Sequence, residues 1–511
     1  MRNIIVILCM VLFYMQLWGC SCKKDPGVNP EPPLETGGFP TDIAKILVTK
    51  CATAGCHNDA SAINAAGLRL DTWTHLFEGG ANGAEVIPYS PEFSPLLYFV
   101  NTDPNRGTTA SPTMPFDATG SNPNPLSDEE YNTLKQWIAD GAPDVNGNIA
   151  FTANADTRQK IYLSQQGCDL IAVIDAESNL VMRYIKVGTL AGTTESPHCV
   201  RFDNAGKYAY VSFLNGTGIQ KMDATLDKIV NTGTLGTGSW NIVFVAPNDT
   251  MLVTSDWADN GRVLYANTNT MNTVPELTGS GAGLFVWPHG IASDAAFDTC
   301  FITGQYGNVV FRWAPKASPF PSYRKISIDG KPPVATNNTD KTSPNPHEIM
   351  MTPDRSKYFL TCEGTNEVRV MNAHTDEVMD AIPVGAVPQE IAMSYTKPLM
   401  FVTCMEDVNG VPAGRKGSVY VINYNTHVVE KVLKGDFYQP HGITVDDRYG
   451  KIYIASTNSN PDGPAPHHAT ACGGRAGWYT VYSLNTLEPL NSRRYQVTVM
   501  PYSADVRFKT P

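Results

Sequence analysis

At 511 residues the chain is too long for one ordinary domain, and its charged fraction of 17% is low for a cytosolic enzyme. With 38 Lys and Arg against 49 Asp and Glu, the net charge of −11 lacks the basic footprint that a phosphate backbone demands, so nucleic acid is excluded as a partner. Gly 42, Pro 37 and Tyr 22 predict many strands joined by tight turns.

Met1 to Gly19 carries one early positive charge, Arg2, and then the apolar run IIVILCMVLFYMQLW. That run is too short and one-sided to span a membrane, and it reads as an export signal over residues 1–19. Leu17-Trp18-Gly19-Cys20 resembles the lipobox of bacterial lipoproteins, which implies diacylglycerol on the Cys20 thiol; an ordinary signal peptide with incidental cysteines is the alternative. Residues 23–38 hold four prolines and no apolar period, so residues 20–38 are expected to form an anchor and extended tether. The implied address is the cell envelope, on the periplasmic face or cell surface.

Cys51-Ala-Thr-Ala-Gly-Cys56-His57 follows. Two thiols can form thioethers with haem vinyl groups, and the adjacent imidazole can reach the iron from the same side. Four residues separate the cysteines where two are usual. A small disulfide loop, or three zinc ligands, are alternatives for the same residues. Downstream, Ser111-Pro112-Thr113-Met114-Pro115 places a methionine between prolines in a segment that cannot be helical, so its thioether is free to face iron. Ser127 to Glu130 is a capping box, and Tyr131, Leu134, Trp137 and Ile138 then repeat at helical spacing up to Gly141. Ile43, Ile46 and Leu47 stripe a matching helix before Cys51.

Together with Gly67-Leu68-Arg69-Leu70, Ser90 to Leu96, Met114-Pro115 and Trp137 to Ala142, this stretch resembles the small cytochrome c domains fused to other modules in environmental bacteria. The resemblance covers about residues 39–148. It implies one covalent haem c on Cys51 and Cys56, with His57 and Met114 as axial ligands. His75 is a rival distal ligand, or a structural histidine.

From about residue 155 short β-branched and aromatic runs take over, and a repeat emerges. Pro197-His198, Trp240-Asn241, Pro288-His289, Pro346-His347, Pro388-Gln389, Pro440-His441 and Pro501-Tyr502 each open a strand, 42 to 61 residues apart. A second strand follows all but the last copy, at Tyr210, Leu252, Phe301, Phe359, Phe401 and Tyr453. The segment also opens, at Ile161 and Leu170, with strands that lack a first strand, so both chain ends are expected to complete one blade. The motif resembles the Tyr-Val-Thr-Asn propeller repeats. The fold expected is therefore mainly β, a seven-bladed β-propeller over residues 155–511 closed by N- and C-terminal strands, preceded by a small α-helical cytochrome c domain.

His198, His289, His347 and His441 should line one end of the channel, the upper face. The insertions 316–345, 405–417 and 457–477 are expected on that same face, the last with His467, His468 and Cys472. These imidazoles either hold a second metal or haem, as propellers do in nitrous oxide reductase and in haem c nitrite reductases of similar architecture, or simply bond neighbouring carbonyls at the start of each blade. Of the remaining thiols, Cys362 and Cys404, at matching positions of adjacent blades, are the pair expected to be close enough to bridge. Two functions follow: an electron carrier whose propeller docks a redox partner protein or a ligand, or a haem-dependent oxidoreductase with a second cofactor on the upper face.

Overall fold

Six of the seven blades carry an interruption in the pairing of their innermost strand. The computed structural model describes residues 35–117, 120–236, 238–274, 285–316, 323–334, 343–457, 472 and 477–509. In these, the seven repeats become seven antiparallel sheets. Blade 1 starts at Pro197–Phe202, blade 2 at Ile242–Val245, blade 3 at Pro288–Ser293, blade 4 at Pro346–Met351, blade 5 at Pro388–Met393 and blade 6 at Pro440–Asp446. Blade 7 is the seam: Pro501–Val506 lies beside Lys160–Gln165, with Ile161 opposite Val506 and Gln165 opposite Pro501, and Leu170–Asp175 and Val181–Lys186 complete it.

In blades 3 to 6 the pairing of the first two strands slips between the proline and the fourth residue, as between Pro346 and Ile349. The residue before each of these prolines, such as Asn345 or Gln439, is left-handed. A bulge of this kind strips the second and third residues of their ladder partners. In blades 3, 4 and 5 a threonine hydroxyl from the second strand restores them, whereas blade 6 has Ala455 at that position. Thr403 Oγ1 accepts from Glu390 N in its own blade at 3.1 Å and donates to His441 O of the next blade at 3.0 Å. Thr361 makes the same pair of bonds to Glu348 N and Gln389 O, and Thr303 to Gly290 N and His347 O. The repeat keeps a hydroxyl there because it staples one blade to the next. Thr403→Val, which deletes both bonds and leaves buried backbone groups unpaired, is expected to cost about 1–3 kcal/mol in urea denaturation, whereas Thr403→Ser should recover most of it.

Gly290 and Gly442 follow their histidines for a related reason. A Cβ on Gly442 would lie 2.4 Å from Tyr502 O, and one on Gly290 would lie 2.8 Å from Glu348 Oε1, so the neighbouring strand could not approach. Between blades lie separate apolar layers, such as that of Phe301, Ile349, Tyr358 and Cys362, and the next one of Phe359, Val368, Met393 and Cys404.

The insertion 316–345 is not wholly on the upper face. Tyr323–Ser327 is the outermost strand of blade 3, and Lys316 before it bonds Ala296 O and Asp298 in the turn that closes the lower end. Among the described residues of this insertion, only those after Ser327 belong to the upper side, because the strand in the middle reverses the chain.

The helical region holds α1 (Thr41–Ile46), α2 (Trp73–Leu76), α3 (Pro95–Val100) and α4 (Asp128–Ala139). The capping box on α4 forms as expected, with Ser127 Oγ accepting from Glu130 N and the Glu130 carboxylate accepting from Ser127 N. Tyr131, Leu134, Trp137 and Ile138 are buried against Ile43, Ile46 and Leu47. Residues 36–511 form one compact unit, and the helical region packs on the rims of blades 6 and 7. Gln496 N donates to Asn82 O at 2.9 Å, Arg493 Nη1 donates to Glu78 O, and Phe93 meets Tyr184 at 5.2 Å. Among the described residues no helix is long and apolar enough to cross a membrane. The leader, Cys20 and most of the tether lie outside the described residues, as do His467 and His468.

Candidate functional site

After α1 the backbone widens into a single π turn, Leu47–Cys51, with Ala52 N bonded to Leu47 O, which carries Cys51 to the edge of the helical core. Lys50 pairs with Glu130 at 2.6 Å, tying this turn to the start of α4. The intervening loop is held by Cys56 N on Thr53 O and His57 N on Cys51 O, so four residues between the cysteines still close a compact turn. Cys51 and Cys56 are free thiols, and the disulfide alternative is not formed. Burial, then the neighbouring Cys56, pushes the Cys51 thiol up to about 12.

His57 Nδ1 lies 3.2 Å from Leu68 O, and since a carbonyl only accepts, Nδ1 carries the proton and Nε2 is left as the ligating nitrogen. Burial lowers the His57 pKa, which favours the neutral imidazole that metals bind. Met114 is fixed by its backbone: its N–H donates to Phe99 O at 2.7 Å and its carbonyl accepts from Asn122 Nδ2 at 3.2 Å.

Cys51, Cys56, His57 and Met114 line one cavity of about 910 Å3, with Leu68, Leu70, Leu96, Phe99, Val100 and Phe116 as apolar walls. Four residues predicted from two distant motifs thus meet in a single space. That space, two free thiols, one neutral imidazole and one thioether fit a covalently attached haem. His75 is not among the lining residues; its Nδ1 bonds Asp71 Oδ1 at 2.8 Å, the structural role. Phe99, Val100 and Phe116 were not singled out by sequence reasoning, because only folding brings their loops against the Cys51–His57 turn.

The four channel histidines also converge. With Tyr502 they form a closed circuit of rings: His198 to His289 at 5.7 Å, His289 to His347 at 4.0 Å, His347 to His441 at 6.0 Å, His441 to Tyr502 at 3.7 Å and Tyr502 to His198 at 4.6 Å. His289 Nδ1 bonds His347 O at 3.2 Å and His441 Nδ1 bonds Tyr502 O at 3.0 Å, each across a blade boundary. These are the carbonyl contacts of the structural alternative. Among the described residues no group of three or more His, Cys, Asp or Glu is arranged to hold a metal ion.

Cys362 and Cys404 do not pair. Both are buried free thiols in successive apolar layers, so the thickness of a sheet separates positions that are equivalent in sequence. The disulfide that does form joins Cys168, in blade 7, to Cys472 in the insertion of blade 6. Deeper in the channel, Glu348 and Glu390 are buried near each other with Arg201 alongside. Burial and then the charge of Glu390 push Glu348 up to about 8.

A family profile described as Planctomycete cytochrome C matches residues 54–108, which include Cys56 and His57. A cytochrome c domain implies a covalently bound haem and a part in electron transfer. None of the curated proteins compared matches this chain. Among solved structures, the chain is similar to a functionally unknown protein from Desulfotomaculum acetoxidans, at 12% identity and a TM-score of 0.47, over 67% of this chain and 99% of that one. It is also similar to the hydrazine synthase of Kuenenia stuttgartiensis, at 15% identity and a TM-score of 0.44, over 62% of this chain and 92% of that one.

Proposed function

We propose that the chain is an exported, lipid-anchored monohaem c-type cytochrome that passes electrons to or from a redox partner protein, its propeller serving as the platform for that partner or for a ligand. The observation that carries this reading is the meeting of Cys51, Cys56, His57 and Met114 in one apolar cavity. A haem held there supplies reversible one-electron iron chemistry.

The protein's own residues do the rest. Leu68 O holds the proton of His57 on Nδ1 and so keeps Nε2 for ligation. The bonds from Phe99 O and Asn122 hold Met114 at the cavity. The apolar walls limit the solvent that reorganises when charge changes. Export is supported by the leader and by the Cys168–Cys472 disulfide, a bond that persists in oxidising compartments. Membrane attachment is proposed through Cys20.

The test is the dithionite-reduced visible spectrum of the full-length protein, produced in cells that mature c-type haem, with haem counted per chain after denaturing electrophoresis. The expected result is about one covalent haem per chain. Absence of covalent haem overturns the reading. Membrane fractionation of Cys20→Ser should move the protein to the soluble fraction, and retention in the membrane overturns the anchor.

A further inference from the structure

The upper mouth of the propeller channel is a second cavity, of about 390 Å3, remote in sequence from the haem site. Imidazoles and amides line it, and two of its amide oxygens stand out. Gln439, the left-handed residue before Pro440, is 7% exposed and donates its amide N–H to Glu406 Oε1 at 2.8 Å. That bond fixes which end of the amide is oxygen. Oε1 of Gln439 is then buried at the cavity with no hydrogen-bond partner, and Oδ1 of Asn241, 1% exposed, shares that condition. Gln389, at the Pro-His position of blade 5, repeats the arrangement: its amide donates to Glu363 Oε1 at 2.7 Å and its own oxygen is buried without a hydrogen-bond partner. Buried acceptors left unpaired cost about 1–3 kcal/mol each, so a ligand that donates to them recovers that cost.

The cavity wall adds the carboxylates of Glu363 and of Glu406, the latter paired with Lys416, which leaves one negative charge in excess, together with the aromatic residues Trp257 and Tyr306. Carboxylates repel an anion, aromatic faces attract a cation, and the volume far exceeds that of a bare ion. We propose that the upper mouth binds a small organic cation bearing N–H donors, an ammonium or guanidinium group, whose charge is met by Glu363 and Glu406 and whose donors are met by Gln439 Oε1 and Asn241 Oδ1. This deepens the reading of the propeller as a ligand platform and does not depend on the haem.

The experiment is isothermal titration of the full-length haem-loaded protein with 1,4-diaminobutane and with agmatine. Tetramethylammonium, a cation without N–H donors, glutarate and Ca2+ serve as comparators. Saturable binding of at least one amine is expected, weakened about tenfold or more in Glu363→Gln and Gln439→Leu while the haem spectrum is unchanged. Glu406→Gln, at the rim, gives the same readout should either buried variant fail to fold. No saturable binding of either amine, binding unaffected by the substitutions, or equal or tighter binding of tetramethylammonium, glutarate or Ca2+ overturns the proposal. Amine binding by a protein that lacks covalent haem would sustain it while sinking the cytochrome reading; haem without amine binding would do the reverse.

Discussion

Replacing Cys51 and Cys56 together by alanine is expected to abolish covalent haem, from about one per chain to less than about a tenth, with the propeller still folded. The two thiols are the only free cysteines among the described residues that reach the 910 Å3 cavity, so nothing else there can form the thioethers. Single replacements should leave a residual, singly attached haem. Met114→Ala separates attachment from ligation. It should retain covalent haem, because both thiols and His57 are intact, yet lower the reduction potential by on the order of 0.1 V, since thioether ligation raises the potential of a His-ligated haem. Haem staining after denaturing electrophoresis reads the first effect and spectroelectrochemical titration the second. A Met114→Ala variant with an unchanged potential would remove Met114 from the ligand set.

Glu348→Gln is expected to stabilise the protein at alkaline pH and to do little at acid pH. Glu348 faces Glu390 of the next blade and Arg201 from blade 1, with Asp505 and its partner Lys509 close by and Arg355 lining the same lower cavity. Its Oε1 accepts only from its neighbour Ile349 N, and its Oε2 is buried without a hydrogen-bond partner. The ionised form is therefore the costly one. Its folded pKa lies above the ordinary glutamate value of 4.5, so the folded state binds the proton more tightly than the unfolded chain does. The resulting stability is complete below the unfolded pKa and is lost as pH rises through the folded one, near neutral to mildly alkaline conditions. Glutamine removes this loss. Thermal midpoints should differ by a few degrees at about pH 9 and by less than about a degree at about pH 5. An equal effect at both values would mean that Glu348 does not titrate in this window.

The elements that could be read along the chain are those whose signal is local. The capping box at Ser127 and Glu130, the stripe from Tyr131 to Ile138, and the spacing of Cys51, Cys56 and His57 each involve residues within a turn or two of one another. The blades were legible because one short pattern recurs seven times, and the seam because a ring leaves no edge unpaired. Met114 was readable as a ligand from its prolines and from the family resemblance, although its place at the cavity depends on the Phe99 carbonyl.

What depends on distant partners was set by folding. The Cys168–Cys472 bridge spans a sequence separation of 304 residues and leaves no local trace, whereas Cys362 and Cys404, alike in register, lie in different apolar layers. The seating of the helical region on blades 6 and 7 rests on contacts such as Asn82 with Gln496, and the amide oxygens of Gln389 and Gln439 are left as buried, unpaired acceptors because Glu363 and Glu406 take the other ends. The repeat, the closure and the candidate residues Cys51, Cys56 and His57 were legible in the chain because they follow from periodicity and short-range geometry. Folding alone selected which of the buried polar groups would be satisfied, because that depends on which strands of different blades come to lie side by side.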